Sequence, residues 1–151
     1  MSSNTPKNSY ESLPVASKLI FLAGIFDGEG SFGIWSKGIG RKKEFACTIE
    51  MSDHDTLVRF TDMFGGQLFP CKKRKDYHRQ TWRWRQNGYR AFQIIDKMIE
   101  FMSKRRQEKY NVAKRDEISG TGRYAHIQEA SRDEDADGGR TNDAREKDGS
   151  R

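Results

Sequence analysis

Residues 15–26 are mostly apolar and free of proline, and the chain then reads Asp27-Gly28-Glu29-Gly30. An apolar run with that glycine-rich ending predicts a helix that stops at the motif. Gly24 stands four residues before Gly28, so the two share one helical face, one turn apart. With no Cβ at either position, another backbone can approach closely, by the small-xxx-small geometry that packs membrane helices. The glycines either seat the helix on the protein's own sheet or form a helix–helix interface; the flanking Ala23 and the acids favour the interface. Asp27 and Glu29 fall near the negative end of the helix dipole, where carboxylates gain nothing and repel each other. They are either two solvated acids in a turn or a site for a divalent cation, since Mg²⁺ takes one or two carboxylates with backbone carbonyls and waters.

Downstream, the apolar period switches between strand and helix spacing. Residues 31–37 and 44–51 flank a Gly-Ile-Gly-Arg-Lys turn and predict a hairpin. Phe45, Cys47, Ile49 and Met51 share one of its faces; Glu44, Ala46, Thr48 and Glu50 share the other. Ser52 or Asp53 caps a helix carrying Leu57, Phe60, Met63 and Phe64, which Gly65-Gly66 ends. Residues 67–74 and 79–86 predict a second hairpin around Asp76-Tyr77-His78. Phe92, Ile95, Ile99 and Met102 then recur at helical spacing, with Ile94 and Met98 widening the stripe, and a basic helix follows over about residues 103–115. The order is αββαββα, an α+β architecture with an antiparallel sheet.

Charge divides the chain. Residues 118–151 hold 6 basic and 8 acidic side chains, five glycines and no apolar periodicity. Such a stretch buries too little apolar surface to offset ordering its backbone, so it reads as a disordered polar tail, inert rather than shielding. Residues 1–117 hold 22 basic and 14 acidic side chains, so the expected domain, residues 13–117, lies in a part more basic than the whole chain's net +6. That balance favours a polyanionic partner. No apolar run approaches the ~18 residues of a membrane span. The first ten residues lack a signal peptide's basic-then-apolar order. Two cysteines are too few for a disulfide scaffold. The expectation is a soluble intracellular protein, of cytoplasm, nucleoid or organelle matrix, with no membrane partner.

The predicted fourth strand is either an ordinary solvated strand face or a nucleic-acid surface, and its run of basic residues favours the second. Arg79, Thr81, Arg83 and Arg85 alternate with Gln80, Trp82, Trp84 and Gln86, which puts three arginines on one face and two tryptophans on the other. Arginine reads guanine bidentately in the major groove, which admits a two-stranded ribbon. Lys37, Arg41, Lys43, Lys72 and Arg74 extend that surface towards bases and phosphates of double-stranded DNA. Trp82 and Trp84 read as core rather than as base-stacking platforms, because the helices need an apolar sheet face to cover. Trp35 lies on the first strand with its face unassigned. Cys47 with His54 and Cys71 with His78 share a seven-residue offset, but strand interiors without closely paired ligands make a poor zinc site.

The stretch Leu22-Ala23-Gly24-Ile25-Phe26-Asp27-Gly28-Glu29-Gly30 resembles the signature of the LAGLIDADG homing endonucleases. The αββαββα order is similar to that family's fold over residues 13 to about 115, and Lys104-Arg105-Arg106-Gln107 is similar to its late Lys-x-x-Gln element. The resemblance implies an endonuclease that cuts both strands of a specific DNA site with Mg²⁺, Mn²⁺ substituting, in intron or intein mobility. It makes Glu29, the second acid of the motif, the catalytic metal ligand, with the Gly28 carbonyl as a further ligand, and gives Asp27 a structural role. It makes Lys104 a stabiliser of transition-state charge. Family members usually order the attacking water with a polar residue after the second strand; Ser52 and Asp53 stand where glutamine is often found. Single-motif members are homodimers, and no second such motif occurs here. The resemblance thus implies helices paired through Ala23, Gly24 and Gly28 about a two-fold axis, on a palindromic or near-palindromic site. The alternative is a non-cleaving RNA maturase or DNA-binding regulator, whose usual mark is loss of the catalytic acid.

Overall fold

A computed structural model describes residues 9–36 and 38–119 of the chain. Lys37 and most of the expected tail, from residue 120, lie outside the described residues. The chain divides into two compact units, Met1–Lys114 and Arg115–Arg151. The first carries the four strands and the candidate site; the described residues of the second are helical through Ser119.

After a short 3₁₀ turn, Tyr10–Ser12, the first unit runs α1 (Val15–Glu29), β1 (Gly30–Ser36), β2 (Lys43–Met51), α2 (His54–Phe64), β3 (Gln67–Pro70), β4 (Trp82–Asn87), α3 (Gly88–Met98), a second 3₁₀ turn (Ile99–Phe101) and α4, which starts at Lys104 and continues to Ser119. The expected αββαββα order is therefore observed. The four strands form one antiparallel sheet in the order β1-β2-β4-β3.

Alternation assigns the two sheet faces. Phe32, Phe45, Cys47, Ile49 and Trp84 are buried with Leu22, Phe26, Leu57, Phe60, Ile95 and Met98 in the core between sheet and helices. Fully burying each large apolar side chain is worth about 1.5–3 kcal/mol, so this face commits the sheet to its register. Trp84 meets Phe60 at 5.3 Å between ring centroids, and its indole N–H donates to the Gly65 carbonyl at 2.8 Å, which satisfies the one polar atom the ring carries inward. Trp82 is half-buried against the same core. Gly65 ends α2 with φ +69°, a left-handed conformation that favours glycine. Trp35, Glu44, Ala46, Thr48, Glu50, Arg83 and Arg85 occupy the opposite, helix-free face.

Two element boundaries differ from expectation. The first helix does not stop at Phe26: it continues through Glu29, with the Gly30 N–H donating to the Phe26 carbonyl. Gly30 is extended and opens β1 directly, so Gly28 and Glu29 belong to the last turn of α1. The second hairpin is shorter than predicted. Beyond Pro70 only the Cys71 N–H bonds across, to the Thr81 carbonyl at 2.9 Å, and the Gln80 amide donates to the Cys71 and Thr81 carbonyls at 2.8 and 2.7 Å. Continued in the same register, a longer ladder would set Lys73 directly opposite Arg79, with Lys72 and Arg74 beside it, and like charges across a ladder destabilise it. Lys72, Arg74 and Arg79 therefore sit on the exposed 71–81 connection, not on a strand face.

Candidate nucleic-acid interface and active site

Glu29 closes α1 with an exposed carboxylate that no hydrogen bond or ion pair holds among the described residues. It lines an open cavity of about 510 Å³ with Ile25, Glu50, Met51, Ser52, Asp53 and Thr56. The end of β2 and the start of α2 are thus brought to the end of the motif helix, and Ser52 and Asp53 come with them. Asp53 is already engaged as the α2 cap: Oδ1 accepts the Asp55 and Thr56 N–H groups at 3.2 and 3.4 Å, and Oδ2 accepts the Thr56 hydroxyl at 2.8 Å. The Thr56 hydroxyl above all, then the two backbone donors, holds its carboxyl below the usual range.

Asp27 faces the other way. Its carboxylate accepts the Ser103 N–H at 3.1 Å and the Ser103 hydroxyl at 2.9 Å. Arg106 donates through one nitrogen to the Asp27 carbonyl at 3.1 Å and the Gly30 carbonyl at 2.6 Å, and its Nε lies 3.8 Å from the Asp27 carboxylate. A cation on the last carbonyls of a helix also suits the dipole. Arg106 is a site-forming residue that sequence reasoning did not single out, because its partner Asp27 is 79 residues away. The lock joins the start of α4 to the end of the motif helix. Lys104, the first residue of α4, is exposed and does not line the Glu29 cavity. Lys109 lies 5.0 Å from the Phe32 ring centroid; burial, then the neighbouring Arg106 and Arg105, pulls its ammonium pKa down.

Trp35, Ser36, Glu44, Ala46, Thr48, Arg83 and Arg85 line a second open cavity, about 460 Å³, on the helix-free sheet face. Arg83 does not project freely there. Its Nε and Nη2 donate to Glu50 Oε2 at 3.2 and 2.6 Å, and the Thr81 hydroxyl donates to Oε1 at 2.9 Å. These bonds, Arg83 first, hold the Glu50 carboxyl below its ordinary range. Arg85 Nε donates to Asn87 Oδ1 at 2.8 Å. Arg41 is exposed in the turn before β2, and Lys43, exposed at the first position of β2, alternates with Glu44 and so starts on the side of Phe45.

On α1, Gly24 and Gly28 are exposed, and a Cβ at either would meet nothing within 4 Å. Ile20 and Phe21 beside them are 50% and 42% exposed. Ala23 does not belong to that surface; it is fully buried in the chain's own core with Leu22 and Phe26. At 100° per residue, Ala23 points about 100° from Gly24 and 140° from Gly28, which turns it to the sheet when they face out. Cys47 is also core, and burial pushes its thiol up to about 12, away from the thiolate a metal would need. No three His, Cys, Asp or Glu side chains converge on a metal position among the described residues.

No protein-family model matches the sequence, and no curated protein matches it. Solved structures do match. The homing endonuclease I-CvuI in complex with its target is similar with a TM-score of 0.53 at 18% identity, over 76% of each chain. The archaeal intron-encoded homing endonuclease I-Vdi141I complexed with DNA gives 0.54 at 18% identity over 77% of each chain. The LAGLIDADG meganuclease I-CpaMI bound to uncleaved DNA gives 0.53 at 21% identity, over 68% of this chain and 37% of that one. At these identities the likeness is one of fold. The chain has the fold of LAGLIDADG homing endonucleases, as its nonapeptide led one to expect.

Proposed function

We propose that this protein is a sequence-specific, divalent-metal-dependent endonuclease of double-stranded DNA that acts as a homodimer on a palindromic or near-palindromic site. The observation that carries the reading is the placement of Glu29: an exposed carboxylate, without a partner among the described residues, ending a helix whose Gly24–Gly28 face is open. Pairing two copies through Ile20, Phe21, Gly24 and Gly28 would cover exposed apolar surface and set the two Glu29 carboxylates near the two-fold axis. One carboxylate per chain with an open cavity beside it suits Mg²⁺, which keeps several waters and takes substrate phosphate oxygens, better than a closed structural site. Bound there, Mg²⁺ would polarise the scissile phosphate and lower the pKa of a water.

The chain's own groups do the rest. Glu29, with the Gly28 carbonyl, would hold the cation; Asp27 and Arg106 fix the helix end that presents them. Lys104, outside the Glu29 cavity at the exposed start of α4, is offered for transition-state charge only by its resemblance to the family's late lysine, and Ser52 is the hydroxyl of the cavity free of the capping that occupies Asp53. Arg83 and Arg85 read base edges, while Arg41, Lys72, Arg74 and Arg79 contact phosphates from the turns and Lys43 from the start of β2.

The test is selection of bound duplexes from a randomised library by the full chain, followed by incubation of the selected site with Mg²⁺ or Mn²⁺. The proposal expects a site with two-fold symmetry, cut on both strands. A protein that selects a site and never cuts it would instead be a DNA-binding regulator. One that selects no duplex but binds a structured RNA would be a maturase.

A further inference from the structure

Glu50 stands between the two cavities: it lines the one that holds Glu29, and it grips Arg83, which lines the one on the helix-free sheet face. We propose that Glu50 is a specificity-determining positioning residue, fixing the Arg83 guanidinium so that it reads a guanine next to the cleaved phosphate. The inference rests on the DNA-recognition reading above.

Glu50 and Arg83 are directly opposite across the β2–β4 ladder, so backbone register brings them together. The carboxylate takes the arginine side-on, through Nε and Nη2. Two of the five guanidinium N–H groups are then used, and the outer pair on Nη1 and Nη2 remains. That outer pair is the edge that pairs with guanine O6 and N7. A free arginine loses much rotamer freedom on docking; one already held by a cross-strand carboxylate loses less, and selectivity for its base rises accordingly. Both Glu50 oxygens are engaged, Oε2 by Arg83 and Oε1 by Thr81. The arginine therefore meets the base and the carboxylate acts through it. Because Glu50 also lines the Glu29 cavity, the base pair read falls among those nearest the cut, not at the outer ends of the site.

The experiment compares full-length wild type, Glu50→Gln, Arg83→Ala and the double variant in duplex selection without divalent metal, scoring base preference at every position. Glu50 and Arg83 are 40% and 42% exposed, so these substitutions leave the core untouched. The expected result is that Arg83→Ala abolishes guanine preference at one position per half-site. Glu50→Gln should weaken it there about tenfold, within the range of a bidentate contact, and should add nothing in the Arg83→Ala background. Unchanged preference in Glu50→Gln overturns the proposal. So does a uniform loss at all positions, which would mean general electrostatics, or a Glu50→Gln effect that survives without Arg83, which would mean that Glu50 reads a base itself. If the wild type enriches no duplex sequence, the DNA-recognition reading fails first and this inference with it.

Discussion

Asp53 closes the first turn of α2 with three hydrogen bonds, so its removal should cost about 1 kcal/mol, as for other helix caps. Urea denaturation of Asp53→Ala checks this. Its carboxyl is held below the ordinary range in the folded chain, so the stability it lends is complete above the unfolded value, about 3.9. That stability is lost as pH falls through the lowered folded value. The gap between wild type and variant should be full above about pH 5 and shrink as the solution is acidified below the unfolded value; a gap that widens in acid contradicts the assignment. A cap is legible in sequence because it acts over three residues. The Glu50–Arg83 pair is not, since it depends on which residues of β2 and β4 face one another, and nothing in either strand alone states that register.

At the scale of elements, α1 is held at one end and open along one face. Arg106 binds two carbonyls at its end; hydrogen bonds from a charged donor are worth about 1.5–3 kcal/mol. Arg106→Met, which keeps the bulk, should lose about 2 kcal/mol in a urea melt, and a change inside the ~0.5 kcal/mol of an ordinary surface substitution would show the lock to be idle. Along the open face, a side chain at Gly24 has room within its own chain, so Gly24→Leu tests only what approaches from outside. Wild type should sediment at micromolar concentration as about twice 17.5 kDa, and the variant as a monomer with its fold intact. A dimer that survives the leucine places the interface elsewhere.

The motif helix is legible from its apolar run and its glycine spacing, and the Trp–Arg alternation of β4 from period two. Ala23 is misassigned by spacing, which gives relative angles on a helix and not which of them turns to the sheet. Alternation overextends the second hairpin because it continues through residues 79–81, although a longer ladder would set Lys73 against Arg79.

For the whole molecule, the charge imbalance lies in residues 1–117, with 22 basic against 14 acidic side chains. Residues 118–151 carry net −2, and removing residues 120–151 should leave affinity for the selected duplex within about twofold, far less than the ~1–3 kcal/mol of one lost base contact. Loss of specific binding on truncation would show that this segment takes part in recognition.

The fold places Glu29 at the end of α1 and the arginines on the sheet, so binding and cutting should separate under substitution. Glu29→Gln keeps the shape and removes the charge. Measured side by side on the selected site, its gel-shift affinity should stay near that of wild type. Its Mg²⁺-dependent cleavage should fall by orders of magnitude, since a bound metal supplies several kcal/mol of transition-state stabilisation. Cleavage by Glu29→Gln at the wild-type rate would contradict the assignment of Glu29 as the metal-holding acid.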